Sequence, residues 1–169
     1  LSYPFETLLK LFDEVSTIKA IKDWCNEPML HEKHIRVFQS LPNPVNVLTT
    51  HSAWLMSSLV MGANGLLSGA GSVIAPLQVR LFNAIKNNNL KEAKDINDKI
   101  FPLVQLFYKP PFLDMHNRMK ETLVILNAIQ KAVVRPPLVK LPFKEIEELK
   151  KTVNNINLDN KLNFVKTVA

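Results

Sequence analysis

The spacing of the hydrophobic residues changes from helical to strand-like near residue 16. Residues 4–15 carry apolar side chains three or four positions apart, which predicts a helix with Pro4 in its first turn. Residues 17–22 then alternate in the manner of a strand. One face of this strand consists of Ile18, Ala20 and Lys22, and the other of Lys19, Ile21 and Asp23. The first predicted strand therefore ends at a lysine.

Two further strands follow, each separated from the last by a helix. Apolar runs predict strands at 45–50 and 64–68, and the predicted helices lie at 28–40, 52–61 and 75–86. Ser52 is expected to cap the second of these helices, and Gly62 is expected to end it. Strands that alternate with helices, without hairpin turns between them, are typical of a parallel sheet.

The rest of the chain has only helical periodicity. Helices are predicted at 89–107, with Asn89 and Glu92 as a capping pair, at 112–130 and from residue 142 onward. We therefore divide the chain into residues 1–88, with three strand–helix units, and residues 89–169, a C-terminal helical extension of the same domain.

Three parallel strands leave both edges of their sheet without a partner, and such edges invite aggregation. A closed barrel of eight strand–helix units usually takes about 250 residues, more than the 169 of this chain. The missing strands must come either from a longer polypeptide or from a partner chain. We expect a fragment of a longer polypeptide, because a helix precedes the first predicted strand.

Lys22 is the residue whose predicted position suggests chemistry. In a barrel, alternate strand residues point inward and the carboxyl ends of the strands form the active site. Burial there disfavours a charged ammonium group and leaves a free amine that can attack a ketone. A surface lysine that pairs with Asp23 is an equally good interpretation of the spacing alone.

Several segments in register resemble one family. Residues 17–23 (TIKAIKD) resemble the sixth strand of the dihydrodipicolinate synthase and N-acetylneuraminate lyase superfamily, which ends in a Schiff-base lysine followed by an acid. Residues 47–51 (VLTTH) resemble the seventh strand, and residues 62–68 (GANGLLS) resemble the eighth. With the late segment at 134–138 (VRPPL), the resemblance covers residues 5–150.

The resemblance implies the fold and the reaction. It implies the C-terminal portion of a TIM (β/α)8 barrel, namely strands six to eight plus the C-terminal helices. It also implies a class I aldolase-type lyase or synthase in which Lys22 forms a Schiff base with pyruvate or a related 2-oxo acid, without a cofactor. The family's proton-relay tyrosine and the hydroxyl residues that hold the substrate carboxylate should precede Leu1, so the isolated chain is expected to be inactive.

The candidate substrate-binding residues lie in the two loops where the chain departs from the family. Thr50 and His51 follow the seventh-strand segment, and Ser68 and Gly69 follow the eighth. The glycine allows a carboxylate or phosphate to approach the backbone closely. A turn that requires small residues and a structural histidine explain these positions equally well.

Composition narrows the remaining function classes. The chain is 47% hydrophobic and 21% charged, as expected of a globular domain with one core. Its 21 basic and 15 acidic residues give a net charge of +6. The basic residues are mixed with acids on helix faces, so nucleic-acid binding is not expected. Without a signal segment or a long apolar run, neither secretion nor a membrane is indicated, and we expect a cytoplasmic protein.

No metal site is predicted. Cys25 is the only cysteine, which excludes an intrachain disulfide and a multi-cysteine zinc cluster. His31 and His34 are three residues apart, whereas the zinc-protease motif requires four, so contacts on the helix surface are favoured. We hold three functional hypotheses. The first is a Schiff-base enzyme, most simply a homo-oligomer, and the second is a non-catalytic module derived from a barrel that serves in binding or oligomerisation. The third is a phosphate-binding barrel of another family that uses the turn at residues 68–72.

Overall fold

The computed structural model describes residues 3–50 and 52–158. The helices are α1 (Phe5–Glu14), α2 (Pro28–Phe38), α3 (Leu55–Met61), α4 (Gly71–Lys86), α5 (Leu90–Tyr108), α6 (Met115–Ile125) and α7 (Phe143–Asn155). The strands are β1 (Ala20–Asp23), β2 (Asn46–Thr49) and β3 (Gly65–Leu66). Within the described ranges, no helix is both long enough and apolar enough to cross a membrane.

The three strands form one parallel sheet in the order β1–β2–β3. Lys22 lies beside Leu48, and Leu48 lies beside Gly65, so these three residues share one face of the sheet. Asp23 lies beside Thr49 on the opposite face. The predicted parallel alternation of strands and helices is therefore confirmed.

The two faces of the sheet differ sharply in burial. The face that carries Asp23, Val47 and Thr49 is buried, because α2 and α3 pack against β2. On the other face Ala20, Lys22 and Asn46 are exposed. The sequence-based expectation that Lys22 is buried is therefore wrong for this chain. Its face would be the inside of a closed barrel, and the part of the chain that the structure describes supplies only three strands to enclose it.

Helix ends depend on residues that tolerate a left-handed backbone. Gly62, at the end of α3, has φ of 110°, as its predicted role requires. Asn88, Asn127 and Asn157 also have positive φ and lie just beyond α4, α6 and α7. Asparagine is one of the few residues with a side chain that adopts this conformation readily. These residues fix where the helices stop, which explains why α6 ends well before the predicted residue 130.

The first residues of the helices agree less well with the sequence-based predictions than the last residues do. At α5, Asn89 caps the helix as predicted: its side-chain oxygen accepts the backbone N–H of Glu92, and its amide NH₂ donates to the Glu92 carboxylate. Ser52 does not cap α3 as predicted, because a 3-10 turn (Ser52–Trp54) precedes the helix and Trp54 takes the cap position. Helix α4 begins four residues before the predicted residue 75, with a non-helical break at Ile74.

The chain divides into two compact units, described here separately. The first comprises Leu1–Gly69 and Leu81–Ala93, and its largest fully buried residues are Phe38, Leu55 and Leu81. Phe38 packs against Phe12 in an edge-to-face arrangement, with ring centroids 4.9 Å apart. The predicted division at residue 88 remains a prediction.

The second unit comprises Ala70–Arg80 and Lys94–Ala169, and a buried arginine holds its helices together. The Arg118 guanidinium is fully buried and donates to the Glu145 carboxylate of α7 and to the carbonyl oxygens of Phe107 and Lys109. It therefore joins α6 to α7 and to the last turn of α5. Its side chain therefore lies in the core of this unit.

Candidate active site

Lys22 lies near the carboxyl end of β1, on the exposed face of the sheet. The next residue, Asp23, is only 4% exposed and points into the side that the helices cover. The two side chains point to opposite faces of the sheet because successive side chains alternate along a strand. An exposed lysine side chain is thus directly followed by a carboxylate that is buried in the core.

Two histidines of α2 bind this carboxylate. The Nδ1 atoms of His31 and His34 lie 2.7 and 2.8 Å from the same oxygen, Oδ2 of Asp23. The other oxygen, Oδ1, accepts the backbone N–H of Cys25 at 2.9 Å. Residues three apart on a helix share a face, so both rings reach one acceptor. The predicted surface contacts for these histidines are wrong, since the rings are 0% and 5% exposed.

The geometry also places a proton on one nitrogen of each ring. A carboxylate only accepts hydrogen bonds, so each Nδ1 atom carries a proton. Nε2 of His31 lies 2.7 Å from the hydroxyl oxygen of Ser58. Nε2 of His34 is buried and has no hydrogen-bond partner among the described residues. A buried polar atom without a partner typically costs about 1–3 kcal/mol.

The order Ser58–His31–Asp23 is that of a hydrolase triad. Ser58 and His31, however, are both 0% exposed. No substrate can reach the hydroxyl, so this array serves to hold β1 against α2 and α3. Aromatic rings complete its surroundings. Phe5 and Phe38 stack with the His34 ring, and Trp54 meets the His31 ring edge-on.

The Asp23 carboxyl titrates far from its usual range. Burial raises its pKa, but the hydrogen bonds from His31 and His34, the electrostatic attraction of His34 and the backbone N–H of Cys25 together outweigh burial and hold the pKa well below the ordinary value. The carboxylate is thus ionised at any ordinary pH. Its charge is balanced by donors that the fold supplies rather than by Lys22.

Cys25 follows two residues later and is half-buried as a free thiol. Burial raises its pKa to about 12, and the negative charge of Asp23 contributes to the shift. The thiol donates to the carbonyl oxygen of Glu27 at 3.4 Å. A thiol with so high a pKa is a poor nucleophile at neutral pH.

A cavity of about 370 Å³ lies next to these groups. Its walls come from α1, β1, the loop after β1 and α2, and its polar lining includes Lys22, Asp23, Cys25 and His34. Residues from both faces of β1 line it, so it lies along the edge of β1 that no strand of the described ranges pairs with. The remaining lining is mostly apolar, as is typical of small-molecule sites.

Three of the four predicted substrate-binding residues lie at the same carboxyl edge of the sheet. Thr50 is 6% exposed, and its backbone N–H donates to the Asp23 carbonyl at 3.2 Å. Ser68 is half-buried and shares a short hydrogen bond with Ser52, which ties the loop after β2 to the loop after β3. Gly69 is exposed. His51 lies outside the described residues.

Comparison with known proteins places the chain in a family. Residues 2–156 match the model of the dihydrodipicolinate synthetase family. A 4-hydroxy-tetrahydrodipicolinate synthase of Chlorobaculum parvum is 24% identical over 154 residues, which cover 90% of this chain and 49% of that protein. The chain therefore spans about half the length of the curated relatives that it matches.

Solved structures show the same fold. One is a prophage protein of the dihydrodipicolinic acid synthase family from Escherichia coli K12, in complex with pyruvate. Its TM-score is 0.76 at 22% identity, over 88% of this chain and 49% of that one. Another is the N-acetylneuraminate lyase of Fusobacterium nucleatum, with a TM-score of 0.72 at 21% identity, over 92% and 50% of the two chains.

Proposed function

Because the chain belongs to the dihydrodipicolinate synthetase family, we propose that it carries the Schiff-base lysine of a lyase or synthase that acts on pyruvate or a related 2-oxo acid. The observation that carries the proposal is the placement of Lys22. It lies near the carboxyl end of a parallel strand, on the face that a closed barrel would turn inward, and it borders a cavity of small-molecule size.

The chemistry requires a neutral amine. The Lys22 nitrogen adds to the C2 carbonyl carbon of the 2-oxo acid, and the carbonyl oxygen then leaves as water, which forms a protonated imine. The iminium withdraws electrons from the neighbouring carbon, so the bond between C3 and its substituent can form or break there. The prophage relative in complex with pyruvate supports the substrate class, as does the synthase named among the curated relatives.

The role of Asp23 in this scheme is to position the strand. Two donors from α2 and one from the loop after β1 hold its carboxylate. The backbone of the adjacent Lys22 is therefore fixed, while its side chain stays on the other face of the sheet. Thr50, His51, Ser68 and Gly69 complete the proposal as the groups that bind the substrate at the same edge.

Borohydride trapping tests the proposal. The chain is incubated with pyruvate, reduced with borohydride and digested, and the modified lysines are mapped by mass spectrometry. We expect labelling to concentrate on Lys22 and to disappear in Lys22→Arg. Lys19 is the matched control, because it is exposed and lies just before the same strand, so Lys19→Arg should keep the label. Equal labelling of both lysines in a folded chain would overturn the proposal.

A second candidate function is a non-catalytic binding or oligomerisation module. The observation that favours it is the cavity along the free edge of β1, together with the exposure of Lys22 on an open face. Sedimentation and borohydride trapping together distinguish the two candidates, because a non-catalytic module gives no selective label at Lys22. A module of this kind associates with increasing concentration and does so equally well in Lys22→Arg, whether or not 2-oxo acid is present.

A further inference from the structure

A chain of hydrogen bonds joins the carboxyl ends of the three strands. The backbone N–H of Thr50 donates to the carbonyl of Asp23, the last residue of β1. The carbonyl of Thr50 in turn accepts the backbone N–H of Ser52 at 2.8 Å and its hydroxyl at 3.4 Å. The same hydroxyl shares a short hydrogen bond with that of Ser68, just after β3. Ser52 therefore connects the loop after β3 with the strand end that carries Lys22.

The environment of Ser52 suits it to hold a second hydroxyl in place. Ser52 is only 4% exposed, so water competes little for its hydrogen bonds. A hydroxyl group has one proton and two lone pairs, so it can donate to the Thr50 carbonyl and accept from Ser68 at the same time. The backbone N–H of Leu67 also donates to the Thr49 carbonyl at 2.8 Å, which brings the two loops together. A backbone bond and a buried hydroxyl thus fix the position of Ser68.

Ser52 and Ser68 differ in what they can do for a ligand. Ser52 is buried, whereas Ser68 is half-buried and is one of the residues that we propose bind the substrate. A side chain that is already ordered contributes more to binding, because the cost of ordering it is not subtracted from the affinity. The hydrogen bond from Ser52 supplies this order to the Ser68 side chain.

We propose that Ser52 is a positioning residue for the 2-oxo acid, because its hydroxyl holds that of Ser68 in the orientation that binds the substrate. The inference rests on the proposed function, since it concerns the binding step that precedes imine formation at Lys22. Loss of the Ser52 hydroxyl weakens this binding step and leaves the reaction of the bound 2-oxo acid with the lysine unchanged.

The dependence of borohydride trapping on pyruvate concentration tests this role. The initial rate of Lys22 labelling is measured in the wild type, in Ser52→Ala and in Ser52→Thr, which keeps a hydroxyl. One neutral hydrogen bond changes an equilibrium constant roughly 2- to 10-fold. Ser52→Ala should therefore raise the half-saturating pyruvate concentration by about that factor at an unchanged limiting rate, and Ser52→Thr should restore the wild-type value. Ser57→Ala is the matched control, because Ser57 is exposed on α3.

Ser68→Ala supplies the second measurement, since it removes the same hydrogen bond from the other side. If Ser52 acts through Ser68, the addition of Ser52→Ala to Ser68→Ala should cause no further rise in the half-saturating concentration. Urea unfolding verifies that each variant is folded in the assay. An unchanged half-saturating concentration in Ser52→Ala, or a loss confined to the limiting rate, would overturn this inference and leave the Schiff-base function in place. A wild-type chain without label at Lys22 would overturn both.

Discussion

Replacement of Asp23 by asparagine measures how much its buried carboxylate stabilises the fold. The charge disappears while the shape is kept. The two bonds from His31 and His34 change from charge-assisted, worth about 1.5–3 kcal/mol each, to neutral, worth about 0.5–1.5. The new amide also turns its NH₂ group toward the N–H of Cys25, which loses its acceptor. Together these changes should cost about 3 kcal/mol, a large share of the roughly 5–15 kcal/mol that stabilises a typical domain.

Urea unfolding followed by tryptophan fluorescence is the appropriate assay. The two tryptophans of the chain, Trp24 and Trp54, both belong to the first unit, so the signal reports on the unit that contains Asp23. Asp13→Asn is the matched control, because Asp13 is exposed on α1 and its replacement should change the free energy of unfolding by less than about 0.5 kcal/mol. Equal midpoints for Asp23→Asn and the control would refute the reasoning.

The pH dependence of the free energy of unfolding, compared between the wild type and Asp23→Asn, provides a further test. The pKa of Asp23 is lower in the folded chain than in the unfolded one, where it is about 3.9. Its contribution to stability is therefore fully present above about pH 4 and is lost as the pH falls toward the folded-state pKa. The difference in unfolding free energy between the wild type and Asp23→Asn should accordingly be constant near neutrality and shrink in acid. A difference that grows in acid would contradict this assignment.

Three further predictions use denaturation and alkylation. Phe38→Ala should destabilise the chain by about 3–5 kcal/mol in urea, since the ring is fully buried, whereas Phe143→Ala should have little effect because that ring is 77% exposed. Gly62→Ala should lower the free energy of unfolding by about 1 kcal/mol or more, because φ of 110° strains any residue with a side chain. Asn88→Gly should change it by only a few tenths of a kcal/mol, since glycine adopts a positive φ readily. In the folded chain, the rate of Cys25 alkylation by iodoacetamide should keep rising tenfold per pH unit up to pH 10, because the pKa of the thiol is about 12. In urea the rate should level off near pH 9. A plateau near pH 9 in both states would contradict the raised pKa.

Local sequence signals predicted most of the fold, because each depends on residues close together in the chain. The alternation around Lys22, the capping pair at the start of α5 and the role of Gly62 are all local features, and the structure has each of them. The errors occur where tertiary contacts compete with local preference. Ser52 is a favourable cap residue, yet in the structure it lies in a 3-10 turn and bonds Ser68 across the loops instead.

The Asp23 cluster could not be predicted because its members are distant in sequence. Asp23 is 8 and 11 residues from the two histidines, and His31 is 27 residues from Ser58. Their encounter requires the crossover from β1 through α2 and the packing of α3 on the same side of the sheet. The available signal was the pair of histidines three residues apart on one helix. Comparing their spacing with the zinc-protease motif did not reveal that both rings face the protein interior. A histidine pair on the buried face of a helix needs a buried acceptor, and the nearest carboxylate on the covered face of the preceding strand is Asp23.

The same reasoning explains why Lys22 and Asp23 differ so much in their environments although they are neighbours. The covered face of β1 is complete within the first unit, because α2 and the loop after β1 supply the donors that bind the carboxylate. The open face depends on strands beyond the three that the described residues contain, so the side chain of Lys22 remains exposed. A lysine needs a dry environment to lose its proton near neutral pH. Asp23 thus fixes the backbone next to Lys22, and closure of the other side of the sheet would increase the reactivity of the amine that we propose as the nucleophile.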